Sequence, residues 1–286
     1  MAKDNSAEQR RNKARENARQ IAAAQAKKEK TAKTILYSGI GVVVVAVAVI
    51  VTLLIVQQAQ PAVSPANYVA GGVNVARDNT VVQPMNMPEG EESSLPTAAD
   101  SGVKENAATV TAYIDFQCPA CKAFEDTNTE MLMNLVNEGS IVLEYKPIAI
   151  LDRFSNGNEY STRSANIAAC VVDAQPEKTA DFFAAMFAQQ PQEGTSGRTD
   201  EELLQVATDA GVDTNAPLQA DPEQTIASCV TDQTFAKYVA NTTQETLDSG
   251  VDATPTVLIN GQPTQQTGDA QALAVEILQA TGEVQN

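Results

Sequence analysis

From Thr109 to Phe116 apolar and polar residues alternate (TVTAYIDF), the period of a half-buried strand. A helical pattern follows from Cys118 to about Glu138, then a short apolar run, Ile141 to Tyr145 (IVLEY), that reads as a second, buried strand. This predicts a β-α-β opening. From Ser161 to Val251 the pattern is helical in several pieces, broken at Asn156-Gly157, Gln190-Pro191, Gly194 to Gly197, Ala216-Pro217 and Asp221-Pro222. A strand Thr256 to Ile259, the turn Asn260-Gly261, a short strand near Pro263 to Gln266 and a closing helix Asp269 to Ala280 complete the pattern. No internal sequence repeat is present.

Ahead of this region the chain reads differently. Residues 35 to 56 (ILYSGIGVVVVAVAVIVTLLIV) carry no charge, and about 20 apolar residues suffice to cross a bilayer as a helix. A secretory signal has an apolar core of only about 7 to 15 residues, so an uncleaved anchor is the expectation. Lys and Arg cluster on its N-terminal side, which predicts a cytoplasmic N-terminus and a catalytic region facing outward. Residues 1–34 then form a basic cytoplasmic segment, either a disordered topology signal or a surface helix on anionic lipid. Residues 57–106, rich in Pro, Gly, Ser, Asn and acids, read as an extracytoplasmic tether, with a candidate hairpin near 68–82 (YVAGGVNV and TVV).

Composition narrows the chemistry. Histidine and tryptophan are absent, which removes imidazole bases, Ser-His and Cys-His dyads and His-ligated metals. The net charge of -17 hides an asymmetry: residues 1–33 hold ten of the nineteen Lys and Arg and only four of the thirty-six acids. The remaining nine bases and thirty-two acids leave the main body at -23, a surface that repels nucleic-acid phosphates.

The four cysteines carry the rest. Cys118-Pro119-Ala120-Cys121 lies where a strand ends and a helix begins, so the first sulfur meets unpaired backbone N–H groups at the positive end of the helix dipole, which favours its thiolate. Pro119 suits the first helical turn. Cys121, three residues on, shares a face with Cys118 and can close a disulfide with it. Cys118 is thus the attacking or attacked sulfur and Cys121 the resolving one. A purely structural disulfide and half of a zinc site are the alternatives, the latter short of ligands. Cys170 and Cys229, in helical stretches 59 residues apart, are expected to form a structural disulfide outside the cytoplasm, worth on the order of 4 kcal/mol; two buried thiols are the alternative.

The segments YIDFQCPACKAFE, IVLEYKPIAIL and GVDATPTVLINGQ, with a long helical stretch between the last two, resemble the DsbA-like branch of the thioredoxin superfamily over roughly residues 66–286. The resemblance implies an α/β thioredoxin fold at 107–286 with a helical domain inserted at about 155–248, preceded by one transmembrane helix and a flexible tether. It also implies a thiol:disulfide oxidoreductase that introduces disulfides into exported proteins through its CPAC pair, with no cofactor beyond that disulfide. Its partners would be unfolded exported clients and a membrane protein that reoxidises it. A disulfide reductase or isomerase is the enzymatic alternative; a membrane-tethered interaction module with a structural CxxC is the non-enzymatic one.

The family's cis-proline falls at Pro255, after Thr254, where a trans turn proline is the plainer alternative. Glu125, seven residues after Cys118, matches an acid of the family motif that tunes proton transfer, although solvated helix surface explains it nearly as well. Asp115 occupies a family-like slot three residues before Cys118, and a strand end near solvent accounts for it equally. Ala120 departs from the pattern: the best-known members have a His there that stabilises the thiolate, so its absence implies a less extreme cysteine pKa and a less oxidising couple.

Overall fold

A computed structural model describes residues 61–284 except 91 and 92, with isolated positions before them. The expected membrane helix at 35–56 and the basic segment 1–34 lie outside the described residues. Among the described residues no helix is long and apolar enough to cross a membrane.

Residues 62–286 form one compact unit built on a six-stranded sheet of order β2-β1-β4-β3-β5-β6. The strands are β1 Val73–Val75, β2 Val81–Val82, β3 Ala108–Ile114, β4 Ile141–Pro147, β5 Thr256–Ile259 and β6 Gln262–Pro263. The central pair β3 and β4 is parallel, as the helical crossover between them requires, and every other pairing is antiparallel. Alternation in β3 sends Val110, Ala112 and Ile114 into the main core and leaves Thr109 and Tyr113 partly exposed on the other face.

Helix α1 (Pro119–Asn137) joins β3 to β4. It ends at Gly139, whose φ of +71° suits glycine and where an added Cβ would meet the Gly102 carbonyl oxygen at 2.6 Å. Five helices fill the stretch between β4 and β5: α2 (Tyr160–Ala174), α3 (Thr179–Ala188), α4 (Asp200–Asp209), α5 (Ile226–Asp232) and α6 (Ala236–Asp248). Capping boxes start α4 (Thr199 with Glu202) and α5 (Thr225 with Ser228). Helix α7 (Ala270–Ala280), capped by Asp269, closes the chain over α1 and β3.

One continuous core joins the sheet to the inserted helices. At its centre Phe116, just beyond β3, packs its ring 5.2 Å from Phe183 and 5.1 Å from Phe187, both on α3; Tyr145 of β4 meets Phe183 at 5.2 Å. Such aromatic contacts add about 0.5–1.5 kcal/mol each beyond the area they bury. They also fix the residues just before Cys118 against the insertion.

Where it is described, from residue 61 on, the stretch expected to be a tether is largely part of the fold. Val73–Val75 pairs with β4, Val81–Val82 pairs back on β1, and Ala76, Val82, Val103, Ala107 and Val142 form a second small core. Asn67 donates to the carbonyls of Val172 and Asp173, and the Ala66 N–H to the Asp173 carboxylate. The compact unit therefore begins near Ala62, not near residue 107. The antiparallel pair β1–β2 matches the candidate hairpin near 68–82, joined through Ala76 to Thr80; its docking on β4, a contact about 70 residues away in sequence, is what local pattern does not show.

Candidate active site

The chain turns sharply after β3, and Cys118, in extended conformation, is the N-cap of α1 with Pro119 at the first helical position. Both thiols are unjoined; Cys118 is 6% exposed and Cys121 fully buried. The first turn of α1 thus presents one sulfur at the surface and hides the other beneath it.

Thr254, just before β5, closes the site, and the Thr254–Pro255 peptide bond is cis. Cys118 Sγ lies 3.2 Å from the Thr254 carbonyl oxygen. The neutral thiol donates to that oxygen. The thiolate cannot, and is held instead by the Cys121 thiol, the Thr254 hydroxyl and the backbone N–H groups of Ala120 and Cys121. Led by the Cys121 hydrogen bond and opposed by burial, these donors bring the Cys118 thiol down to about 6. Burial, then the bond to Cys118 and its charge, push Cys121 far above the ordinary thiol range. One cysteine is ionised at neutral pH and its partner protonated, the asymmetry that thiol exchange uses.

The two candidate carboxylates, Asp115 and Glu125, are both buried. Asp115 is fully buried, which removes the reading of it as a strand end near solvent. Its Oδ1 accepts from the Gln117 N–H at 2.9 Å, and its Oδ2 from the N–H groups of Ile150 and Leu151 at 3.0 and 3.1 Å. Burial raises its carboxyl to about 7 against the lowering effect of these donors, with the Cys118 charge adding to the rise. Glu125, one turn beyond Cys121 on α1, is 5% exposed, which corrects the solvated alternative for it as well. Its Oε2 accepts from the hydroxyls of Thr129 (2.5 Å) and Tyr145 (3.3 Å), while its Oε1 is buried with no hydrogen-bond partner. Burial lifts this carboxyl to about 7. Both acids titrate near neutrality, the range in which a group can give and take protons.

Cys170 on α2 and Cys229 on α5 are joined in a disulfide within the inserted helices, both fully buried. Pro119 and Ala120 lie exposed at the mouth of the site.

Sequence reasoning missed the residues that hold the loop before Cys118. Gln117 accepts from the Ser161 hydroxyl of α2 at 3.1 Å, and Gln190, past the end of α3, donates to the carbonyls of Phe116 and Cys118. No local pattern marks such partners, since they lie 44 to 74 residues from the loop they touch. Thr129 was missed as well, although its place four residues after Glu125 is a local signal that could have found it.

A sequence model of the thioredoxin family matches residues 96–277, more than half of the chain. A search of curated proteins returned no match. Among solved structures, reduced DsbA from Mycobacterium tuberculosis is 29% identical over 74% of this chain and 93% of that one, with a TM-score of 0.55. The reduced disulfide bond oxidoreductase DsbG from the same organism is 29% identical over 77% of this chain and 91% of that one (TM-score 0.56). Oxidised BdbD from Bacillus subtilis, 18% identical over 78% of this chain and 100% of that one, shares the fold (TM-score 0.53). With a β-α-β opening, a cysteine pair at the start of α1, a cis-proline facing it and a helical insertion before β5, the chain belongs to the thioredoxin superfamily as a DsbA-like thiol-disulfide oxidoreductase.

Proposed function

We propose that this oxidoreductase works as a disulfide oxidase on exported, unfolded proteins, held at the outer face of a membrane by residues 35–56. A client thiolate attacks Cys118 Sγ of the Cys118–Cys121 disulfide. The S–S bond breaks and Cys121 leaves, taking up a proton as it returns to its buried, neutral state. A second client thiolate then attacks the client sulfur of the mixed disulfide, forms the client disulfide and expels Cys118 as a thiolate. Two electrons and two protons leave the client, one proton going to Cys121 and the other to solvent, and a membrane redox partner removes the two electrons and the Cys121 proton from the reduced protein.

The observation that carries this reading is the geometry around Cys118, the N-cap of α1 within 3.2 Å of the Thr254 carbonyl beside cis Pro255, where helix-start donors favour the thiolate; a stabilised thiolate is a good leaving group and stabilises the reduced protein, which makes the disulfide more oxidising. Glu125, four residues after Cys121 on the same helix, would exchange the proton that Cys121 needs. Client backbone pairing with the segment beside Pro255 would make recognition broad. The buried Cys170–Cys229 disulfide and the flanking Lys and Arg of the first 33 residues support an extracytoplasmic placement.

Ala120 favours a second reading, with flux reversed toward reduction or isomerisation, since a His there would favour the thiolate further. The two separate in oxidative refolding. A catalytic amount of oxidised protein should speed disulfide formation in a reduced, unfolded client, and a Cys118→Ser variant should not. Acceleration by that variant, or none by the wild type, would refute the oxidase.

A further inference from the structure

We propose that Gln190 is a positioning residue for thiol-disulfide exchange: its side-chain amide, presented by the helical insertion, holds the carbonyls of Phe116 and Cys118 and so sets the reactivity of the Cys118 sulfur. This rests on the oxidoreductase chemistry described above and adds a residue that acts through Cys118 without touching a substrate.

The geometry is specific. Gln190 Nε2 lies 3.0 Å from the Phe116 carbonyl oxygen and 3.0 Å from the Cys118 carbonyl oxygen. Two acceptors on one nitrogen fix the orientation of the amide, because a flipped side chain would set its oxygen against two carbonyls. The Cys118 carbonyl also accepts the Lys122 N–H at 3.2 Å, the first hydrogen bond of α1. Gln190 therefore shares the acceptor that starts the active-site helix.

The insertion holds Gln190 in turn. Its own N–H bonds the Phe187 carbonyl at 3.2 Å, and Pro191 restricts its backbone. Arg198 reaches back with Nε at 2.9 Å and an Nη at 2.8 Å from the Gln189 carbonyl, clamping the turn from which Gln190 projects. The Phe187 ring, against Phe116, fixes the same turn from the core side. The amide thus has a rigid mount on α3 and bridges 72 residues of sequence to the nucleophile.

The chemical consequence differs between redox states. In the reduced protein negative charge sits on Cys118 Sγ, and an N–H donor on that residue's own carbonyl draws off part of the opposing dipole. In the disulfide no charge is present and the donor gains nothing comparable. Gln190 therefore stabilises the reduced thiolate form over the oxidised one and makes the couple more oxidising.

The test uses the full-length wild-type chain, Gln190→Leu, which removes the donor, and Gln190→Glu, which puts a carboxylate of nearly the same shape against two carbonyls. Each is equilibrated with glutathione, two molecules of which are oxidised as the Cys118–Cys121 disulfide is reduced, and the pH profile of Cys118 alkylation is recorded. Both variants should show the alkylation midpoint moved to higher pH. The equilibrium should shift about fivefold toward the protein disulfide in Gln190→Leu, and further in Gln190→Glu. Midpoints unmoved and equilibria within about twofold of wild type in folded variants would overturn the proposal. If Gln190→Leu does not fold, the nearly isosteric Gln190→Glu decides by the same criteria. A wild-type chain that fails to exchange with glutathione would instead strike the oxidoreductase reading, and the alkylation profiles would still decide the role of Gln190.

Discussion

The two cysteine pairs of this chain are both buried, yet they live in opposite environments. Cys170 and Cys229 join two helices inside the insertion, neither at an N-cap, and are fully enclosed. Cys118 sits at the N-terminus of α1 with Thr254 and three further hydrogen-bond donors around its sulfur, and Cys121 lies sealed below it. Burial alone does not separate a structural sulfur from a reactive one. The density of donors around a sulfur that keeps an opening to the surface does.

Exchanging residues within each pair should sharpen the contrast. Cys118→Ser should abolish disulfide transfer in the refolding assay while leaving thermal stability near that of the reduced wild type, because only the thiolate exchanges. The double variant Cys170→Ala with Cys229→Ala should do the reverse. It should lose about 4 kcal/mol of unfolding free energy in urea titration and keep the wild-type rate of exchange at temperatures where it stays folded.

A third prediction follows from Glu125. Its carboxyl is raised to about 7 in the folded protein, against 4.5 for the unperturbed group. Between those values the folded chain holds a proton that the unfolded chain has released. Stability contributed by this group is therefore complete below pH 4.5 and lost as pH rises through 7, by about 3 kcal/mol at most. Glu125→Gln should be more stable than wild type at pH 8 by about 2 kcal/mol and show no such gain at pH 4, as measured by urea unfolding at both values. Asp115, raised to about 7 by burial, adds a loss of the same sign over the same window. The smallest effect concerns labelling: at pH 7 iodoacetamide should modify Cys118 and spare Cys121, with a midpoint near pH 6.

The parts legible in the sequence were those set by local rules. Alternation marked β3, and Pro119 after a strand marked the start of α1. Thr256 to Ile259 matched β5 residue for residue, and the CPAC pair and Thr254-Pro255 carried the family resemblance. What escaped was set by distant contacts. The hairpin of Val73–Val75 with Val81–Val82 was legible near 68–82, but its addition to the edge of β4, which draws the supposed tether into the compact unit, was not. Asp115 and Glu125 were named as site candidates, with a solvated surface as the competing reading for each; sequence did not decide between them because the Ile150–Leu151 backbone and the Tyr145 hydroxyl that receive them come from β4 and the loop after it. Gln190 showed only as a break before Pro191.

The most direct measurement is the reduction potential of the Cys118–Cys121 couple, by equilibration with glutathione, thiol trapping and mass spectrometry. The oxidase account predicts a value of about -120 to -180 mV, and a value near or below about -230 mV would contradict it and make reduction of client disulfides the protein's task.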